Sequence, residues 1–488
     1  VVQQAAAPVA ATDRETFWRH WGVLAVILCC DFMITLDFFI VNVAIPSIQT
    51  DLRANSAAVQ FIVAGYGLAY ASGLITWGRL GDMRGRRRMF TLGVALFTIA
   101  SAACGLAPTA GALVAARIAQ GLGAALMAPQ VLAILGIVYT GADRARAFAV
   151  AGLGKGLAAV FGQLIGGLLI QADAGGLGWR LCFLINVPVG VAVLVAAPRV
   201  VPESRAGGRT SLDLVGTVLV ASGLVAAVLP LVEGRRQGWP LWSWLCLAAA
   251  VPLLAAFAAH QRRLTARGGQ PLVDTALFRG RAFTVGVVAT LLYYAGMGAF
   301  LLVLALSLQQ GYGLSALHSG LICTAIGAGF FAATLAGPVL TRTLGRQAVA
   351  LGALALTGGW IVLAVTVGGV GPGGHVVLLT PALLVCGVGM GLIMAQLTSM
   401  TLAGTGAGHA GAASGVLNTA VQVGSAVGVA LIGIVFYGAT EPAGTRAVQV
   451  SLLCLTGLGL TVAALVQLLP RTTVPGAPHH TGPPSTQR

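Results

Sequence analysis

Apolar stretches long enough to cross a lipid bilayer recur from one end of this chain to the other, and this limits its possible folds more than any other feature. A helix rising about 1.5 Å per residue needs about 20 mostly apolar residues to cross about 30 Å of hydrocarbon with every backbone group bonded internally. Reading the runs between charged and Gly- or Pro-rich breaks predicts fourteen spans, at 21–46, 57–77, 89–107, 110–138, 147–170, 181–198, 212–232, 241–260, 283–308, 317–340, 347–368, 376–401, 412–437 and 447–469. Only 8% of the residues are charged, against about 25% in a soluble domain, so water is not the main solvent of this chain.

The net charge of +15 invites comparison with nucleic-acid binders. The basic residues, however, lie in short clusters between apolar runs, with no soluble domain or aromatic platform to carry them, which excludes that class. Lysine and arginine concentrate on alternate loops; the other loops hold only Arg53, Arg180, Arg235, Arg236 and Arg446. By the positive-inside rule both termini are expected in the cytoplasm of a cell membrane. The N-terminal stretch lacks the pattern of a removable signal, so the first span is expected to act as an uncleaved insertion signal. All eight cysteines fall inside apolar runs with no metal-ligand spacing, and read as small packing residues. Lys155, the single lysine, together with the Ala and Gly richness points to a GC-rich bacterial genome.

The longest connections flank spans 7 and 8 and divide the spans into six, two and six. The expected organisation is an all-α polytopic membrane protein. It comprises a cytoplasmic tail (1–20), a six-helix bundle (21–198), an inserted two-helix hairpin with its linkers (199–282), a second six-helix bundle (283–469) and a disordered cytoplasmic tail (470–488). The segment from Pro271 to Phe278 is expected as a short amphipathic helix on the cytoplasmic surface, for bracing or for lipid contact. An internal repeat supports the division: Leu80, Gly85 and Arg86 after span 2 recur at the same spacing as Leu340, Gly345 and Arg346 after span 10. Two related bundles of six suit a transporter, because rocking one against the other exposes a midplane site to each side in turn.

The turn after span 2 reads GRLGDMRGRRR, from Gly78 to Arg88. Any short inner loop is arginine-rich, but the order of these residues resembles the G-x-L-a-D-r-x-G-r-k signature of the major facilitator superfamily. Three more stretches resemble the fourteen-span drug:proton antiporters of that superfamily: LDFFIVNVAIP (Leu36 to Pro46), RIAQGLGAA (Arg117 to Ala125) and WRLCFLINVPVG (Trp179 to Gly190). The resemblance implies the two-bundle fold of that superfamily with its inserted hairpin. It implies that Asp37 is a protonatable or substrate-facing acid, that Arg117 is its coupling partner, and that Gly78, Arg79, Gly81, Asp82, Arg84, Gly85, Arg86 and Arg87 form a cytoplasmic gate. The helix-5 antiporter motif departs from the family pattern: Gly162, Gln163, Gly166 and Gly167 stand with glutamine where a proline is usual. The bend that proline gives is therefore in doubt, while Gly152/Gly156 and Gly162/Gly166 keep small-xxx-small faces for close packing.

Four charges lie inside spans: Asp31, Asp37, Arg117 and Lys155. Unpaired, they would together cost on the order of 10 kcal/mol. Asp37 and Arg117 stand within about one turn of the same depth, as do Asp31 and Lys155, which predicts two pairs. The Asp31–Lys155 pair reads equally as a structural salt bridge or as a pair released when a proton or substrate arrives. No Asp, Glu or His lies deep in spans 9 to 14, so proton coupling would fall to Asp37 or Asp31, with Arg117.

Asn418, Gln422 and Ser425 share one stripe of span 13, with Gln396 on span 12, and serve either interhelical hydrogen bonding or a polar cavity wall. Phe38, Asn42, Tyr66, Tyr70, Gln120 and Phe300 are further cavity candidates. The loop from Ala403 to Gly411 has no Lys or Arg, so the start of span 13 offers a positive dipole end on which Asp82 would dock. The expected function is a proton-driven antiporter exporting drug-like or natural-product amphipathic compounds, as a monomer, with lipid around it and no cofactor but the proton gradient. The alternatives are a specific metabolite or amino-acid exporter on the same fold, or a membrane-embedded transferase, for which surface-clustered acids or histidines and a large outer loop are missing.

Overall fold

The computed structural model describes residues 9–139, 141–205, 213–234, 237–269, 271–273, 275–371, 374–402, 410–438 and 444–469. The first bundle comprises α1 (Val9–Leu52), α2 (Ser56–Arg84), α3 (Arg86–Gly105), α4 (Ala110–Val138), α5 (Gly141–Ala172) and α6 (Gly178–Val200), the last opening in a 3-10 turn. The hairpin is α7 (Leu214–Glu233) and α8 (Leu241–Ala266). The second bundle comprises α9 (Arg281–Leu306), α10 (Ala316–Leu344), α11 (Arg346–Val370), α12 (Thr380–Leu402), α13 (Ala410–Phe436) and α14 (Thr445–Val466). Among the described residues 13 of these helices are long and apolar enough to cross a membrane; α5, with its charges in its first half, holds a shorter apolar stretch, Phe161–Ala172. The expected N-terminal tail is helical from Val9 onward, in one helix with the first span; residues 470–488 lie outside the described residues.

Within the first bundle α1 packs on α5 and α6, and α4 on α2 and α3; the second repeats the plan with α9 on α13 and α14, and α12 on α10 and α11. The bundles meet along two seams, α5 against α10 and α2 against α13. Glycine makes the first seam tight: a methyl group on Gly167 would stand 2.6 Å from the Ala316 carbonyl oxygen, and one on Gly320 would stand 2.8 Å from that of Gln163. Without a membrane-driven hydrophobic effect between helices, such backbone contact is what van der Waals packing rewards.

The repeated turns fold alike. Gly85, between α2 and α3, has φ 111°, and Gly345, between α10 and α11, has φ 56°, a region that a side chain resists. In each bundle an arginine just past this glycine reaches the end of the bundle's sixth helix. Arg87 donates to the Pro198 and Val201 carbonyls (3.4 and 3.3 Å), and Arg346 donates to the Leu469 carbonyl. A cation at a helix C-terminus satisfies free carbonyls and the helix dipole together.

The hairpin covers the α2–α13 seam. Leu224, Val228 and Val232 of α7 pack on Ala57, Ala64 and Leu68 of α2 and on Ala426 and Ala430 of α13, while only 11% of the apolar stretch of α8 is buried. Its foot is a polar clasp on Asp213: Gly216 N, Gln261 Nε2 and His260 Nε2 all lie within 2.8 Å of the carboxylate. Burial would raise the Asp213 pKa, but the bonds from Gly216, Gln261 and His260 outweigh it and hold the carboxyl below its usual range. Gln261 also accepts from Val273 N at 3.1 Å, tying down the segment expected as an amphipathic helix. That segment is instead a five-residue 3-10 turn, Thr275–Arg279, with Phe278 set edge-on to Phe283.

Candidate functional site

At the heart of the first bundle Asp37 of α1 and Arg117 of α4 form an ion pair with 0% and 1% of their side-chain surface exposed. The structure therefore brings together the two charges that depth alone aligns. Arg117 is held on every side: Nη1 donates to Asp37 Oδ2 and to Gln120 Oε1 (2.6 Å), Nε donates to the Ile62 carbonyl of α2 (3.0 Å), and the guanidinium lies 4.2 Å from the Tyr66 ring centre. Oδ1 of Asp37 accepts from Gln120 Nε2 at 2.8 Å and from Asn186 Nδ2 at 3.1 Å, and both amides also donate to Ser101 Oγ. Such a dry pair repays its desolvation only when its lone pairs and protons find partners, and here both Asp37 oxygens and the Nε and Nη1 groups of Arg117 do. Breaking one partner would leave a buried charge.

The network joins α1, α2, α3, α4 and α6 through one carboxylate. Asn186 and Ser101 escape sequence reasoning; the signal for Asn186 is a polar side chain inside the apolar stretch FLINVPVG. The same stretch clasps α1 a second time, where Trp179 Nε1 donates to Asp51 Oδ2 at 2.9 Å and Arg180 pairs with that carboxylate. Asp51 and Glu203 are likewise unforeseen. Glu203 accepts from the Arg87 backbone N–H at 3.1 Å, beside Gly85, and lies 3.9 and 3.8 Å from the side-chain Nε atoms of Arg87 and Arg88.

The other expected site residues separate into groups. Gly78 and Gly81 press α2 on Pro129 and Gln130 of α4, while Arg84 is exposed and Arg86 donates its backbone N–H to Ser204 O at 2.9 Å. Arg79 and Asp82 sit on α2 with side chains outside the described residues, as is the loop 403–409, so the docking expected of Asp82 there has no description. Asp31 is buried on α1, and Gly154, which precedes Lys155, faces Leu28 of α1; the Lys155 side chain is outside the described residues. In the glutamine-bearing motif α5 runs unbroken, with Gly162 against Phe39 and Gly166 against Ile40 and Val43 of α1.

A narrow, partly open cavity lies between the bundles near the middle of their helices. Its wall is Phe39 of α1, Gln163 of α5, Met297 and Leu301 of α9, Cys323, Ile326, Gly327 and Phe330 of α10, and Met390 and Met394 of α12. None of the nine expected cavity residues is among the described lining residues, for packing reasons. Phe300 stacks on Trp360 inside the second bundle at 5.9 Å; Tyr66 lies under Arg117 and 6.0 Å from Tyr70. Gln120 serves the carboxylate, Asn42 donates to its own helix at Phe38 O and Phe39 O, and Phe38 meets Phe39 edge-on. Gln422 is buried against Gly67 at the α2–α13 seam, Gln396 against Gly337 within the second bundle, and Asn418 is half-buried on α13.

The bundles are zipped together at the end holding Asp51. Gln309 Nε2 donates to Val43 O at 2.9 Å and Gln310 Nε2 to Gln49 Oε1 at 2.6 Å, alongside the Gly167 and Gly320 crossings. Two pseudo-repeated six-helix halves, a midplane cavity and a buried carboxylate define a membrane transporter of the alternating-access kind.

The chain belongs to the Major Facilitator Superfamily, whose family model matches residues 27–429. It is 39% identical over 440 residues to the probable actinorhodin transporter of Streptomyces coelicolor, covering 90% of this chain and 76% of that protein. It is 36% identical over 428 residues to the puromycin resistance protein pur8 of Streptomyces alboniger, covering 86% of this chain and 83% of that one. Among solved structures, peptide transporter POT in complex with sulfate superposes with a TM-score of 0.66 over 92% of this chain and 95% of that chain. At 18% identity that likeness is one of fold alone.

Proposed function

We propose that this chain is a proton-driven antiporter that exports drug-like or natural-product amphipathic compounds across the cell membrane, with both termini in the cytoplasm. It works as a monomer without a cofactor and catalyses no covalent chemistry. The observation that carries the coupling is the complete burial of Asp37 within a ring of donors. Support for the direction and substrate class comes from relatives named for actinorhodin transport and puromycin resistance.

The chemistry follows from the ring. A proton arriving on Asp37 removes the negative charge that faces Arg117 and turns an acceptor into a donor, which conflicts with the amide donors of Gln120 and Asn186. With the proton on Oδ1, the amides lose their acceptor, and Arg117, still charged, faces a neutral carbonyl oxygen at Oδ2 in place of a carboxylate while keeping Ile62 O, Gln120 Oε1 and the Tyr66 ring. The grip between α1 and α4 weakens, and α1 carries the Asp51-end contacts of Val43 and Gln49 to the second bundle. Proton occupancy thus biases which end is closed, which is the differential interaction that coupling requires.

Purified protein in proteoliposomes, given a panel of antibiotics and dyes and an imposed pH gradient, tests this reading. Gradient-dependent movement abolished by a protonophore is expected. Movement of solutes indifferent to the gradient would contradict it.

A further inference from the structure

The cavity holds one hydrogen-bonding amide among its described lining residues, and that residue is the glutamine that departs from the family pattern. Gln163 is 5% exposed, and its side chain makes no hydrogen bond to any described residue. An amide that lines a cavity and bonds to none of the described wall leaves both its donor and its acceptor to a ligand, which would gain a hydrogen bond there. Its seat is rigid. The Gln163 carbonyl faces Gly320 of α10 at the tight crossing of the bundles, and its neighbour Gly162 packs on Phe39.

Around that amide the wall supplies the Phe39 and Phe330 rings and the thioethers of Met297, Met390 and Met394. Methionine adapts to irregular apolar shapes and contacts aromatic faces well. No charged side chain is among the described lining residues. Asp37 lies two positions before Phe39, about 200° around α1, and its oxygens are occupied by Arg117, Gln120 and Asn186. A cation would therefore meet no counter-charge among the described lining residues, while a carbonyl or hydroxyl would meet an amide offering both donor and acceptor.

We propose that Gln163 is the specificity-determining contact for an uncharged, rigid aromatic solute bearing a carbonyl or hydroxyl group, and that this site discriminates against cations of the same shape. The proposal rests on the export reading above, with the cavity as its substrate site.

The test uses two probes with one fluorescent ring system: an uncharged polycyclic aromatic hydroxyketone, and a derivative carrying a fixed quaternary ammonium group. Binding to detergent-purified full-length protein and gradient-driven transport in proteoliposomes are measured for wild type, Gln163→Met and Gln163→Glu, each checked for a monodisperse folded peak. Wild type binds the neutral probe better than the cation. Gln163→Met raises the Kd and KM for the neutral probe roughly tenfold with little change in kcat. Gln163→Glu reverses the preference toward the cation, and carries the test alone if the methionine variant does not fold. Equal neutral-probe affinity in wild type and variants, preference of wild type for the cation, or binding of neither probe would each overturn the proposal. Gln163-dependent binding without gradient-driven transport would instead sink the export reading and leave the site assignment standing.

Discussion

Asn186 of α6 donates its side-chain amide to Oδ1 of Asp37 at 3.1 Å, so the last helix of the first bundle is tied to the carboxylate on the first. A hydrogen bond to a charged group is worth about 1.5–3 kcal/mol. Asn186→Leu is therefore expected to destabilise the protein by about that amount, seen as a lower unfolding temperature in detergent, and to slow gradient-driven transport more than gradient-independent exchange. Asn186→Leu with unchanged coupling would show that this bond is structural only.

Arg117 and Asp37 separate stability from function. Arg117→Leu alone leaves a buried carboxylate and should cost about 3–5 kcal/mol, whereas Asp37→Leu with Arg117→Leu removes both charges and should recover most of that stability. Transport should stay lost in the double variant. Thermal unfolding and transport assays on the four proteins of the cycle check both statements, and recovery of coupled transport in the double variant would contradict the role given to the pair.

Thirteen of the fourteen expected spans, the two-bundle fold and the twin turns at Gly85 and Gly345 are legible in the sequence, because bilayer thickness sets span length and positive φ selects glycine. The Asp37–Arg117 contact is legible too, since depth along a helix is a count of residues. What a count does not carry is direction across the bundle. An aromatic residue in an all-apolar run has no polar face to orient it, so Phe300 and Tyr66 look like cavity walls and are core. The polar partners Ser101, Asn186, Asp51 and Glu203 acquire meaning only when helices far apart in sequence meet.

Gln49 and Gln310 meet at the closed end, joined at 2.6 Å across the two bundles. Gln49→Cys with Gln310→Cys, in a background where the exposed Cys29 and Cys454 are replaced by alanine, should be joined by a short bifunctional methanethiosulfonate reagent that stops turnover, because two glutamine side chains meeting at their tips leave a gap a direct disulfide does not span. Reductant should restore it. Full transport in the crosslinked protein would mean that this end need not open.

The Asp213 clasp has a defined pH sense. Its carboxyl is held below the usual range, so its contribution is complete above the unfolded value, about 3.9, and is lost as pH falls through the lowered folded value. Hydrogen exchange at residues 213–217 and 258–269 should stay slow from neutral pH down to about pH 4 and quicken below it. Asp213→Asn, which removes the charge, should quicken exchange there at neutral pH. With the hairpin as scaffold, transport in that variant should change by less than about twofold, which is under about 0.5 kcal/mol in activation free energy.

Coupling through Asp37 is measured most directly by comparing wild type with Asp37→Asn in proteoliposomes, for gradient-driven accumulation and for solute exchange with no gradient. Asparagine keeps the size of the side chain and removes its titration. The account predicts that Asp37→Asn loses accumulation while retaining exchange. Accumulation against a concentration difference in Asp37→Asn, still driven by the pH gradient, would contradict it.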